Sequence, residues 1–315
     1  RLMLHNFLFT LNLVLPVFFL VILGTALNRW HIIDDHFSKN SSKLVFNVAL
    51  PTLVFLKLSQ TDISSVIDWG LIAYAYLTTI LFVAVVWGIS AYAFHTATTR
   101  ASFIQGVYRS NYAIIGLTII MGMYGDQAFA KGAFILAFII PLYNLIAVVL
   151  MESMVGQKKG YLNGLLAVAK NPLIWGALLG LGWSLSGWNL PKLVITTGHY
   201  LAAITLPLAL LSIGSTLNWA SLRKCGNVTV IATVVKLVIY PLIFTSIAVA
   251  MGYRDDNLAV LYLLYASPTA VASYIMAQAM GANARIAGNI VLATTLASVF
   301  TLTIGLFILR QLGLI

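Results

Sequence analysis

Two short polar clusters interrupt otherwise apolar stretches of this sequence, at residues 108–112 and 265–269. Ser and Asn are preferred at helix N-caps, and Ser267 followed by Pro268 matches the pair favoured at an N-cap and first helical position. Because proline inside a helix removes a hydrogen bond and clashes with the preceding turn, we predict that each stretch is a broken helix with a half-helix starting near its middle. Two such N-termini, each with free N–H groups and about half a positive charge, would form an anion site if they converged. The alternative is a proline kink in one stretch and a polar packing contact in the other.

Two basic residues lie deep inside apolar stretches, and the stretches hold no central Asp or Glu. Ionisable residues in such positions are costly and usually functional. Arg109 and Lys236 therefore favour a site for an organic anion and argue against a site for sodium or protons built from carboxylates. The alternatives are that Arg109 extends to the cytoplasmic surface and that Lys236 binds carbonyl groups freed by a broken helix.

These arguments define the candidate residues. The predicted substrate-binding residues are Ser110, Asn111, Ser267, Pro268, Thr269, Lys236 and Arg109, and the predicted helix-break or hinge residues are Pro51, Pro207 and Pro268. Hydrolase, metalloprotease and nucleotide-binding motifs are absent from the sequence. We therefore predict no catalytic residue, no metal ligand, no cofactor and no enzymatic activity.

The composition indicates that these residues lie in a membrane protein. Of 315 residues, 61% are hydrophobic and only 8% are charged, against roughly 25% charged in soluble domains. This excludes a soluble or disordered protein, and the scattered basic residues do not form the dense patch of a nucleic-acid-binding module. Continuously apolar runs without two-residue alternation predict membrane helices rather than strands. Ten spans are predicted, at 7–27, 41–59, 69–94, 101–123, 128–151, 166–187, 193–217, 226–251, 257–280 and 286–309.

The two halves of the chain share residues at a common spacing. At an offset of 156 the pairs are Pro16 with Pro172, Gly24 with Gly180, and Leu50-Pro51 with Leu206-Pro207; at 157 they are Tyr108 with Tyr265, Ser110 with Ser267, and Met123 with Met280. A repeat of five spans is odd, so the second copy enters the membrane from the opposite side. We predict inverted repeats at 1–155 and 156–315, an arrangement common in secondary transporters.

Loop charges predict the orientation. Alternate loops hold ten Lys and Arg residues on one side and six on the other, and the richer side should be cytoplasmic. Both termini are then periplasmic.

Several short motifs also resemble a known family in their order and spacing. They are Leu50-Pro51, Ser110-Asn111 with Gly116, Gly122-Met123-Tyr124-Gly125, Asn171-Pro172, Leu206-Pro207 and Ser267-Pro268. Together, over essentially the whole chain, they resemble the auxin efflux carrier family, which includes plant PIN-formed proteins and bacterial carriers described as malate or malonate permeases. The short connection at 152–165 is similar to the bacterial branch. Plant members have a proline where this chain has Ser110, and an aspartate in the third span, which is absent from 69–94.

The resemblance implies ten all-α membrane helices with crossing broken helices in spans four and nine, as in sodium/proton antiporters and bile-acid symporters. It implies a scaffold of spans one, two, six and seven, a mobile transport unit of the remainder, and a homodimer joined through the scaffold. Asn111 matches the family's crossover asparagine and Pro268 its crossover proline. The expected function is secondary transport of small organic anions by elevator-type alternating access in a bacterial inner membrane. The alternatives are a sodium-coupled symporter of the same fold and a membrane sensor that binds organic anions without transporting them.

Overall fold

The computed structural model describes residues 2–62, 66–156, 170–216 and 226–315, and these residues form helices and connecting turns. The helices are α1 (Leu2–Arg29), α2 (Asp35–Ser59), α3 (Trp69–Ala93), α4 (Ala97–Tyr108), α5 (Tyr112–Val155), α6 (Pro172–Ser186), α7 (Lys192–Ser215), α8 (Asn227–Ala250), α9 (Asp255–Ala266), α10 (Val271–Ala279) and α11 (Ala284–Gln311). Within the described ranges the sole β-type pairing is one isolated antiparallel bridge, between Ser110 and Thr269.

Seven of the described helices are long and apolar enough to cross a membrane, namely α1 from Asn6 onward, α2, α3, α5, α7, α8 and α11. A further apolar helix, α6, is shorter, and residues 166–169 at the start of the predicted sixth span lie outside the described residues. The predicted class, an all-α protein that crosses the membrane several times, is confirmed.

Helix α5 contains the predicted boundary between the fourth and fifth membrane spans. It extends over 44 residues, but Gly125 inside it has φ 75° and ψ −157°, which is not a helical conformation. A positive φ is readily available to glycine because glycine has no Cβ. The chain therefore changes direction at Gly125, between the predicted fourth and fifth spans.

Glycines bring two pairs of helices into close contact. A Cβ added at Gly24 of α1 would lie 2.2 Å from the carbonyl oxygen of Leu211 on α7, and one added at Gly180 of α6 would lie 2.9 Å from the carbonyl oxygen of Phe55 on α2. These contacts are equivalent under the offset of 156, which relates Gly24 to Gly180 and Phe55 to Leu211. The helix backbones of α1 with α7, and of α2 with α6, are therefore in direct contact.

A second group of helices packs around buried aromatic residues. The rings of Phe82 on α3 and Tyr240 on α8 are stacked with centroids 3.8 Å apart, and the Tyr240 ring also lies 5.0 Å from that of Tyr265 on α9. Lys131 on α5 donates hydrogen bonds to Asp256 at 2.5 Å and to Asn257 at 2.8 Å, which ties α5 to the start of α9. Helices α3, α5, α8 and α9 are thereby joined.

The three prolines predicted as helix-break or hinge residues lie in different local settings. Helix α2 continues through Pro51, directly after a π-helical turn at Val45–Ala49, whereas α7 is interrupted at Ile204, three residues before Pro207. Wider turns and side-chain packing can accommodate a proline that lacks an N–H group. Pro51 therefore lies inside a continuous helix, Pro207 follows a local interruption of α7, and Pro268 lies between α9 and α10. A hinge role for these prolines stays a prediction.

Candidate functional site

Two broken helices cross in the interior of the protein. Helix α4 ends at Tyr108 and α5 begins at Tyr112, while α9 ends at Ala266 and α10 begins at Val271. The extended residues between them run antiparallel and form two backbone hydrogen bonds. The Asn111 N–H donates to the Pro268 carbonyl at 2.7 Å, and the Ala270 N–H donates to the Arg109 carbonyl at 2.9 Å. We call these residues, 109–111 with 267–270, the crossover.

Hydroxyl side chains donate hydrogen bonds to carbonyl groups at the ends of the broken helices. Thr269 Oγ1 donates to the carbonyl of Gly106 at 2.6 Å, and Ser267 Oγ donates to that of Leu263 at 2.6 Å. Ser110 Oγ is 3.3 Å from the Ser267 carbonyl. The last carbonyls of a helix have no intrahelical donor, so all three predicted hydroxyl residues stabilise the crossover itself.

The predicted start of the second half-helix was wrong by several residues. Ser267 closes α9 instead of capping a new helix, and α10 begins at Val271 with Ala270 at its N-cap. The reason is that residues 267–270 are held extended by their pairing with 109–111. The backbone N–H groups that lack an intrahelical acceptor are therefore those at the start of α10.

Asn111 occupies the N-cap position of α5 but does not cap it through its side chain. The residue is 6% exposed. Within the described part of the chain its side-chain amide makes no hydrogen bond, while its backbone N–H and carbonyl are both engaged. This amide is therefore available to bind a ligand.

Lys236 is fully buried on α8 and is directed at the end of α9. Its Nζ donates to the carbonyl of Tyr265 at 2.9 Å and lies 5.1 Å from the centroid of the Tyr240 ring. This is the contact expected if the lysine binds a carbonyl freed by a broken helix. The same contact holds the Lys236 Nζ at the carbonyl two residues before Ser267.

Arg109 does not reach the surface, because it is 9% exposed and its guanidinium turns inward. Its Nη2 donates to Asn144 Oδ1 on α5 at 2.7 Å, and its Nη1 lies 3.3 Å from Met276 Sδ on α10. The described salt bridges, Lys57 with Asp126 and Lys131 with Asp256, do not include Arg109 or Lys236. Both intramembrane cations are therefore bound by neutral groups.

The structure adds three residues that the sequence reasoning had not placed at the site: Gln105, Asn144 and Met276. Asn144 on α5 accepts a hydrogen bond from Arg109. Gln105 is fully buried one turn before Arg109, and its Nε2 is 3.4 Å from Met276 Sδ. Gln105 could have been found from the sequence, because it is a polar residue one turn before Arg109 on the same face of the helix. No local pattern indicated Met276.

The charges at this site have one sign. The starts of α5 and α10 present N–H groups, Arg109 and Lys236 add cationic groups, and the hydrogen-bond partners described above include no carboxylate. In a surrounding of low dielectric this arrangement attracts an anion. Among the described residues no group of three His, Cys, Asp or Glu side chains could hold a metal ion.

Comparison with known proteins identifies relatives among membrane transporters. Curated relatives include an uncharacterized transporter of Methanothermobacter thermautotrophicus, 24% identical over 92% of this chain and 95% of its own. A putative malonate transporter of Rhizobium meliloti is 25% identical over 95% of this chain and 96% of its own. The uncharacterized transporter YfdV of Escherichia coli K12 is 22% identical over 94% of this chain and 96% of its own.

A family model described as membrane transport protein matches residues 9–164 and 161–306, which together span most of the sequence. The match confirms the family resemblance drawn from the short motifs, and transport, rather than catalysis, is the activity of this family. This multi-pass membrane protein belongs to the membrane transport protein family, that of the auxin efflux carriers.

Proposed function

We propose that this protein is a secondary transporter of small carboxylates that binds its substrate at the crossover. The observation that carries the proposal is the pairing of two broken helices beside two buried cations that have only neutral partners. Asn111 supplies a free amide, and Arg109 and Lys236 supply positive potential. Ser110, Ser267, Pro268 and Thr269 hold the two extended segments at the position where the substrate carboxylate binds.

The proposed architecture has ten membrane crossings in two inverted repeats, residues 1–155 and 156–315. Its support is the equivalence of the Gly24 contact with Leu211 and the Gly180 contact with Phe55. Further support comes from the crossover, where Asn111 and Pro268 face each other and are related by the offset of 157. The broken pairs α4 with the first part of α5, and α9 with α10, then each count as one crossing.

The proposed mechanism is an elevator. Helices α1, α2, α6 and α7, joined by backbone contacts at glycines, form the scaffold, and the helices that carry the crossover form the transport unit. Movement of that unit past the scaffold exposes the site to alternate sides of the membrane. We also propose that a homodimer forms through the scaffold, that the membrane is the bacterial inner membrane, and that both termini are periplasmic.

The test is uptake of labelled malonate and acetate into liposomes that contain the purified protein, with membrane potential, proton gradient and sodium gradient imposed separately. We expect uptake that depends on the protein and is driven by potential or protons. Binding without uptake under every gradient would make the protein a sensor, and uptake that requires sodium would make it a symporter.

Asn111→Ala tests the position of the site. Removal of a hydrogen bond to a charged group costs about 1.5–3 kcal/mol, so the affinity for carboxylates should fall by roughly 10- to 150-fold. Unchanged affinity in a folded Asn111→Ala protein would show that the crossover is not the site.

A further inference from the structure

A cavity of about 500 Å³ lies between the start of α1, the start of α9 and the end of α11. None of the residues that line it belongs to the crossover. Because helix ends surround the cavity, it lies near a surface of the membrane, where lipid head groups are found. Its polar side chains are those of Asn6, Tyr124, Asp255, Arg310 and Gln311.

Arg310 presents a free edge of its guanidinium to this cavity. Its Nε donates to Asn6 Oδ1 at 3.0 Å, and its Cζ lies 3.6 Å from the centroid of the Phe9 ring. The Asn6 amide is itself oriented, because its Nδ2 donates to Gln311 Oε1 at 3.1 Å. Nη1 and Nη2 of Arg310 make no hydrogen bond or salt bridge with the described residues. A guanidinium held in this way can bind two oxygens of a phosphate or carboxylate.

A carboxylate lines the same cavity. Asp255 lies in the first turn of α9, and its backbone N–H donates to the Leu314 carbonyl at 2.9 Å, which ties this turn to the chain beyond α11. The neighbouring Asp256 pairs with Lys131, whereas Asp255 forms neither of the described salt bridges. The side chains that line the cavity thus offer one unpaired cation, Arg310, and one unpaired carboxylate. They complement a ligand that has both an anionic group and an ammonium group.

The two helices beside the cavity expose apolar side chains on the way to the membrane interior. Leu8 follows Asn6 on α1, and Ile304 and Ile308 precede Arg310 on α11; all three apolar side chains are exposed. In a bilayer such surfaces contact acyl chains. A charged cavity above an apolar surface fits an amphipathic ligand better than a soluble one.

We propose that this cavity binds the phosphoethanolamine head group of a membrane lipid. Arg310 binds the phosphate, Asp255 binds the ammonium group, and the acyl chains lie along α1 and α11. Free phosphoethanolamine has the same charges but no acyl chains. Because Asn6 lies on α1 and Arg310 on α11, the lipid contacts both the proposed scaffold and the proposed transport unit.

The test measures binding of dioctanoyl-phosphatidylethanolamine and dioctanoyl-phosphatidylglycerol to the delipidated full chain in detergent by native mass spectrometry. The wild type should bind the ethanolamine lipid about two- to fivefold more tightly, as expected for an exposed ion pair with Asp255. Arg310→Gln should lower the affinity for both lipids by roughly 10-fold, because both contain a phosphate. In Asp255→Asn the preference should disappear, because phosphatidylglycerol has no ammonium group.

Arg254→Gln and Asp35→Asn are the matched controls, since each makes the same change of charge away from the cavity. Arg254 does not line the cavity, and its guanidinium donates to the carbonyls of Val249 and Tyr253. Asp35 lies in the first turn of α2, as Asp255 does in that of α9. Neither control should change the affinity for either lipid by more than about twofold.

Equal affinities of the wild type for the two lipids, or equal losses in Arg310→Gln and Arg254→Gln, would overturn the head-group site. If free phosphoethanolamine binds as tightly as the lipid, the ligand is a soluble compound and the lipid is the wrong partner. If Arg310→Gln does not give a monodisperse protein, Asp255→Asn decides alone, because asparagine also tolerates the φ of 50° at this position. Each of these results is independent of carboxylate transport.

Discussion

The contact between the backbones of α1 and α7 predicts how much stability the protein would lose if Gly24 were replaced by alanine. An alanine Cβ at Gly24 would lie 2.2 Å from the Leu211 carbonyl oxygen, whereas ordinary contact begins at 3.4 Å. Since the obstacle is backbone, no side chain can rotate away, and the two helices must separate by about 1 Å. A gap of that size forfeits a quarter to a half of the dispersion energy of the atoms involved.

Two opposing effects determine the change in the free energy of unfolding that Gly24→Ala should cause. Overpacking costs typically about 1–3 kcal/mol, and replacement of glycine by alanine inside a helix returns about 1 kcal/mol. Gly24→Ala should therefore destabilise the protein by up to about 2 kcal/mol, which lowers the melting temperature by up to about 3 °C.

Two further glycines provide a graded comparison on a single helix. At Gly180 of α6 the added Cβ would lie 2.9 Å from the Phe55 carbonyl oxygen, and at Gly182 it would meet nothing within 4 Å. Gly180→Ala should lose less stability than Gly24→Ala, and Gly182→Ala should be neutral or stabilised, because only the helix propensity changes there.

The measurement is the fraction of monodisperse protein that remains after heating in detergent, followed by size-exclusion chromatography. The expected order of melting temperatures is Gly182→Ala above Gly180→Ala above Gly24→Ala. If Gly24→Ala melts at or above the temperature of Gly182→Ala, the backbones of α1 and α7 are not in the contact described, and the scaffold argument fails with it.

Three other predictions concern the site and the orientation. Lys236→Met should weaken malonate binding more than acetate binding, because malonate needs the second positive charge; equal losses would assign Lys236 only to the Tyr265 carbonyl. Asn111→Ala should change the free energy of unfolding by less than about 0.5 kcal/mol, because the Asn111 amide makes no hydrogen bond with the described residues. A larger loss of stability in thermal unfolding would reveal a structural hydrogen bond. In intact cells an impermeant maleimide should spare Cys225, which lies outside the described residues, and should label Arg1→Cys; the reverse pattern would invert the proposed orientation.

The sequence alone was sufficient for the class of the protein and for the positions of the two breaks. Long apolar runs with few charges can satisfy their backbone groups in a bilayer only as helices or closed barrels, so composition decides the class. The effect of Pro268 is partly local too, since a proline inside a helix removes one backbone hydrogen bond. The family motifs are short and local, and they led to the family that the comparison confirms.

The tertiary structure decided what each broken segment does. Ser267-Pro268 has the residue types of a helix start, yet the helix begins at Val271 because residues 267–270 pair with 109–111. Conversely, Pro51 has the residue type of a break, yet α2 continues through it. Local preference differs between such states by a few kcal/mol at most, and pairing with a distant segment outweighs it.

The partners of the buried cations also required the fold. Arg109 and Met276 are separated by 167 residues, and Lys236 and Tyr265 by 29, so no spacing rule of a single helix connects them. The sequence indicated that two cations lie in the membrane without a carboxylate nearby in the chain. Only the packing of α4, α5, α8, α9 and α10 determined that a thioether, an amide and a carbonyl are their partners, because those contacts exist only when the two broken helices cross.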